Sequence, residues 1–184
     1  MSKQEQDQSE KLEAQLEQSY NTLMQRVKES LNQTREGVGN LRQYIDTAVN
    51  KAIELEEIND MEARKLGNYL HRDVQDAAKF LVETGKELKD WMRFDLSLIE
   101  GRILDSFSGM VDYTRIELDK IAEQAQADTH IHTGEIASPG TIACNACGKE
   151  MTFHKPGRIP PCPACHKTEF SRVWNEPDAK NNAE

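Results

Sequence analysis

The chain has 184 residues, enough for one or two domains, and carries 23 Lys/Arg against 32 Asp/Glu for a formal net charge of −9. The imbalance lies in residues 1–130 (17 Lys/Arg against 26 Asp/Glu), an acidic body that would repel nucleic acid and anionic membranes; residues 131–184 carry 6 of each. No apolar run nears the length of a bilayer span and the N-terminus, Met1 to Asp7, has no apolar stretch of an export signal, so membrane insertion is excluded and the cytoplasm is the expected compartment.

Residues 1–128 contain no proline and are rich in Glu, Gln, Lys, Leu and Ala, the residues that lose least on entering a helix. Leu12, Leu16, Tyr20, Leu23, Val27 and Leu31 recur in steps of three and four, and Val38, Leu41, Ile45, Ala48, Ala52 and Leu55 repeat the pattern, each a seam against another helix. Between them, Gly37-Val38-Gly39-Asn40 reads either as a tight loop with Asn40 as cap or as helix running through. A break is the expectation. Asn59-Asp-Met-Glu62 has the form of a capping box and starts a helix near Asp60, and Thr84-Gly85-Lys86-Glu87 suggests a second restart or a kink. The helices are thus expected at about 8–36, 40–56, 60–83 and 86–126. The last is the most apolar, with Trp91, Phe94, Ile103, Phe107 and Met110 among residues on more than one stripe, as in a helix central to a bundle or facing another subunit. Glu54, Glu56, Glu57, Asp73 and Asp76 read as a solvated face. A di-iron site is rejected, because His71, the one histidine of the helical body, follows Asn68 rather than a carboxylate at the Glu-x-x-His spacing.

The composition changes near His130. Residues 129–140 read as a linker holding His130 and His132, which lack a partner that would make them catalytic, and Pro139-Gly140 as a turn. Thr141–Ala143, Met151–Phe153 and Glu169–Val173 are expected as strands, with Ile142, Met151, Phe153, Ile159 and Phe170 as a small apolar layer. Residues 175–184 are polar and proline-broken, a disordered tail.

All four cysteines of the chain lie in this unit, 141–174, as Cys144-Asn-Ala-Cys147 and Cys162-Pro-Ala-Cys165. Two CxxC turns at this separation are the sequence form of a zinc ribbon, each delivering two sulfurs to one face of a tight loop. Gly148, next after the first pair, can take positive φ where the chain turns out of the knuckle, and His166 holds that place after the second, less permissive but enriched in the left-handed region. Four thiolates saturate the ion and leave no place for water or substrate, so one structural Zn²⁺ is expected on Cys144, Cys147, Cys162 and Cys165. His154 and His166 are alternative ligands that four thiols make unnecessary, and a disulfide framework or a thioredoxin-like dithiol lacks its context. A unit of some 40 residues is too small to hold itself by burial, and the ion, worth on the order of 10–16 kcal/mol in finger-sized peptides, supplies the rest.

A highly charged helical body, His132-Thr133-Gly134-Glu135, and then CxxCG and CPxC knuckles resemble the bacterial YbeL-like zinc-ribbon-containing proteins, as do Leu70-His-Arg-Asp73 and Trp91-Met-Arg-Phe-Asp95. The resemblance spans most of the chain and implies zinc on the same four cysteines and no catalytic residue.

Together these readings describe a mainly α protein, an elongated antiparallel helical bundle or coiled coil (1–128) followed by a small C-terminal β zinc ribbon. The function they favour is a non-catalytic adaptor that presents the ribbon to a protein partner, with self-association through the helices as a second contact. The alternative is a nucleic-acid-binding ribbon acting in transcription or RNA metabolism through Lys149, Lys155, Arg158, Lys167, Arg172 and Trp174, an argument from fold analogy. A thiol switch that releases zinc on oxidation of Cys144 or Cys162 is the third.

Overall fold

The structure, a computed structural model, describes residues 3–33, 40–120 and 130–173. Among the described residues, five α-helices precede the ribbon: α1 (Lys3–Gln33), α2 (Leu41–Glu54), α3 (Asp60–Thr84), α4 (Leu88–Met92) and α5 (Gly101–Lys120). The expected caps are present at two starts. Asn40 accepts from Gln43 N–H ahead of α2, and Asn59 accepts from Glu62 N–H ahead of α3, so each asparagine satisfies a backbone donor that the first turn leaves without an intrahelical partner. Residues 37–39 lie outside the described residues, and Asn40 caps as the broken reading requires.

The expected last helix, 86–126, is not continuous. Gly85 ends α3 in the left-handed conformation, and the restart is capped by a Glu87–Asp90 box rather than by Thr84–Glu87. Arg93 then turns the chain out at φ 62, Asp95 caps a single 3-10 turn (Leu96–Leu98), and α5 begins only at Gly101. A cap on every few residues stabilises short turns where the apolar pattern alone reads as one helix. Residues 121–126 lie outside the described residues.

All five described helices share one apolar core, α1 and α3 each packing on both α2 and α5 and α4 adding Trp91 and Met92, with Tyr20, Leu23, Leu41, Ile45, Leu66, Leu70 and Phe107 all excluded from water. The helix buried on most sides is α3, not the last one. It meets α1, α2, α4, α5 and the ribbon, and its buried set includes Asp73 and Asp76 beside Val74 and Ala77. Gly67 is needed where α2 crosses, because a Cβ there would stand 2.7 Å from Val49 Cγ2. Asp73 and Asp76, expected in a solvated face, are 1% and 3% exposed.

The ribbon holds six short strands: β1 (Ile131–His132), β2 (Ile136–Ala137), β3 (Gly140–Cys144), β4 (Glu150–Phe153), β5 (Gly157–Arg158) and β6 (Glu169–Arg172). They form an antiparallel sheet in the order β1-β6-β3-β4 and a separate β2-β5 pair. β3, β4 and β6 are the three strands expected from the sequence. β1 and β2 fall within 129–140, expected as a linker; pairs of two residues are too short to show alternation, and only their partners β6 and β5 define them. Ile131, Ala137, Ile142, Ile159 and Phe170 form the ribbon's own small core with Cys144 and Cys162, flanked by Met151 and Phe153.

Candidate metal centre

The two knuckles repeat one backbone design. Cys144 N–H donates to Lys149 O and Cys162 N–H to Lys167 O, both at 3.0 Å; Gly148 N–H returns to Cys144 O at 2.8 Å and His166 N–H to Cys162 O at 2.9 Å. Gly148 (φ 72) and His166 (φ 59) take the left-handed conformation that lets the chain leave each loop. The turns bring all four Sγ atoms within 4.8 Å of one another, with Cys144–Cys165 and Cys147–Cys162 each at 3.6 Å. Sulfurs at 2.3 Å from a tetrahedral ion stand about 3.8 Å apart, so the cluster has the size of a zinc site. The donor set agrees: four soft thiols, no carboxylate and no fifth ligand in the cluster. Burial alone would raise the Cys162 thiol, but N–H donors of Cys165 and Ala164 and the neighbouring thiols outweigh it and lower it to about 6, while Cys165 is pushed up to about 12. His154 stacks on Phe94 at 4.6 Å and His166 serves the backbone turn; neither belongs to the cluster.

The ribbon is not suspended from the helices. It is docked on them through a buried charge network. Arg172, at the end of β6, enters the helical body with its guanidinium 4.6 Å above the Trp91 ring. Its Nη2 donates to Ser138 O and Oγ, both at 2.9 Å, and lies 3.6 Å from Asp73 Oδ2. That carboxylate also accepts from Tyr20 O–H at 3.3 Å and from Ser138 N–H. Trp91 Nε1–H donates to Asp76 at 2.9 Å, and Arg72 bridges Asp73 to Glu135 and to the carbonyls of His130 and Ile136. Burial lowers Arg172 from its ordinary value against the pull of Asp73 and Asp76, and burial followed by Asp73 raises the Tyr20 phenol well above its own. Gly140 makes room for this: it sits at φ 143, and a Cβ there would stand 2.3 Å from Arg172 Nη1. Around the rim, Thr141 Oγ1 donates to Met92 O at 3.2 Å and Arg93 pairs with Glu150 at 2.8 Å.

Of the expected nucleic-acid set, Arg172 is not at the surface. Arg172 is inside, at 8% exposure, because Asp73 and Asp76 on α3 demand a cation that a phosphate would have to outbid. Lys155 pairs with Glu17 at 2.6 Å and Arg158 lies 3.9 Å from Glu13, so both face the acidic side of α1. Lys149 and Lys167 are exposed beside the knuckles, and Trp174 lies outside the described residues. His132 stands 3.4 Å from Glu135 and His130 3.4 Å from Asn145. Asp73, Asp76, Tyr20 and Trp91 were missed as site residues; the two aspartates stand among His71, Arg72, Gln75 and Lys79, so nothing local distinguishes them from a solvated face.

Fold and site together define a zinc-ribbon protein with a helical body. The chain matches the zinc-ribbon containing domain family (DUF1451) over residues 25–174 and belongs to that family. It is 24% identical over 162 residues to the uncharacterized protein YbeL of Escherichia coli K12, covering 87% of this chain and 97% of that one, and matches YbeL of strains O6:H1 and O157:H7 to the same extent. No solved structure matches it.

Proposed function

We propose that the chain is a non-catalytic adaptor in which the helical body holds the zinc ribbon rigidly and offers its knuckle end to a protein partner. One observation carries this reading. The side of the ribbon away from the ion is locked into the body by Arg172, whereas both knuckle tips, Asn145–Lys149 and Pro163–Lys167, are open to solvent apart from half-buried Cys165. A rigid, exposed head spares a partner the cost of ordering it on binding. The closed thiol set supports a structural ion, with no position for a substrate. Dispersal of the basic residues, with Arg172 buried and Lys155 and Arg158 turned to α1, favours a protein over a phosphate backbone.

Among the described residues no helix is long and apolar enough to cross a membrane. The reading is tested by co-purification of full-length wild type, Lys149→Glu/Lys167→Glu and Cys162→Ser/Cys165→Ser from native lysate, with and without nuclease. Partners that survive nuclease but are lost from both variants support the adaptor. Partners released by nuclease would replace it with a nucleic-acid function, and identical partners on all three proteins would move recognition to the helices.

A further inference from the structure

We propose that zinc binding and docking of the ribbon are coupled through Arg172: loss of the ion withdraws the guanidinium from the pocket of Asp73, Asp76 and Trp91 and loosens the helices around it. The proposal goes beyond the adaptor reading, since it concerns how the ribbon is held and holds for any partner.

Two strands connect the ion to the pocket. β6 follows the second knuckle; Phe170 packs beside Cys144 and Cys162, and Arg172, two residues on and therefore on the same face, enters the body. β3 ends in Cys144 and begins at Gly140, just after Ser138, whose N–H donates to Asp73 and whose carbonyl and hydroxyl accept from Arg172. The register Cys144↔Phe170 and Ile142↔Arg172 joins these strands, so whatever holds Cys144 against the second knuckle also sets the depth of Arg172. The ribbon's own core is five apolar side chains beside two cysteines, too little to keep that register once the ion is gone.

The pocket makes the link matter to the helices. Asp73 and Asp76 on α3 face Arg172, and the other groups turned to it are Tyr20 from α1, Arg72 from α3 and the Trp91 ring from α4. With Arg172 withdrawn, two carboxylates remain in a low-dielectric site with Arg72 as the nearest cation, and Arg72 is already shared with Glu135. Linkage is reciprocal, so if zinc favours docking, docking favours zinc by the same factor, and a change that weakens docking lowers zinc affinity by up to that factor.

Two measurements on the full-length chain decide it. In chelator competition, Asp73→Asn keeps an acceptor for Tyr20 and Ser138 but removes the charge that holds Arg172, and zinc should dissociate on the order of tenfold more readily. Asp46→Asn, an exposed change on α2, should match wild type. In hydrogen exchange of wild type with and without zinc, peptides spanning 70–77 and 88–92 should exchange faster once the ion is removed, together with the ribbon. Equal zinc affinity in a folded Asp73→Asn variant, or faster exchange confined to residues 130–173, would overturn the coupling. If Asp73→Asn does not fold, the exchange measurement on wild type decides alone.

Discussion

Replacing Arg172 by Met removes a cation whose side chain is 2% exposed and leaves Asp73, at 1%, facing a thioether. Met preserves most of the volume over Trp91, so the change isolates charge and hydrogen bonding from packing. Removing one member of a buried pair costs about 3–5 kcal/mol, because the remaining carboxylate keeps its desolvation cost; Asp73 retains Arg72 on Oδ1 at 3.1 Å, so the lower end of that range, about 3 kcal/mol, applies. The loss of two 2.9 Å bonds to Ser138 and of the cation–π contact with Trp91 belongs to the same term rather than adding to it. For a chain of this size, about 3 kcal/mol corresponds to a fall in Tm of roughly 6–12 °C. Circular dichroism at 222 nm, with zinc in excess, reads it directly. Asp73→Asn/Arg172→Met should recover part of the loss by removing both charges, and Arg93→Met, which breaks the rim pair with half-exposed Glu150, should cost about 1 kcal/mol or less. An Arg172→Met protein melting within about 1 kcal/mol of wild type would refute the claim that this guanidinium compensates Asp73.

Three further outcomes follow from the same structure. Metal analysis of the purified chain should give one zinc per molecule, and Cys162→Ser should lose it, with the strands of the ribbon losing their exchange protection as the ion leaves. Gly140→Ala, forced into a left-handed backbone with its Cβ against Arg172, should destabilise by about 1–3 kcal/mol, whereas Gly109→Ala, in α5 with nothing near its Cβ, should stabilise by about 1 kcal/mol; urea unfolding separates the two signs. Tyr20 has its folded pKa raised by burial and by Asp73, so its contribution is complete below the ordinary phenol value near 10 and disappears as pH rises from there through the raised folded value. Thermal melts from pH 9 to 11 should therefore show a steeper fall for wild type than for Tyr20→Phe; parallel curves would show that the phenol does not ionise in the unfolded chain alone.

What the sequence determined by itself was local. Each CxxC turn closes on itself between its first cysteine and the residue five further on, Cys144 with Lys149 and Cys162 with Lys167, so spacing alone was enough to name the ligands. The same is true of the Asn40 and Asn59 caps, each three residues from the donor it serves. Apolar periodicity gave helices but not their continuity: the seam through Trp91, Phe94 and Leu98 hides the break at Arg93, because a left-handed residue and a side-chain cap leave the apolar spacing intact.

Tertiary structure decided what the charges do. Asp73 looks like a surface carboxylate of a charged helix and Arg172 like a ribbon's phosphate contact, since each is polar among polar neighbours and nothing within a few residues of either says otherwise. They come within 3.6 Å only after α3 has been covered by α1, α4 and the ribbon, and burial then turns two ordinary charges into a specific pair. Such pairing is a property of the chain's three-dimensional path and of the dielectric it creates, and no periodicity or spacing encodes either.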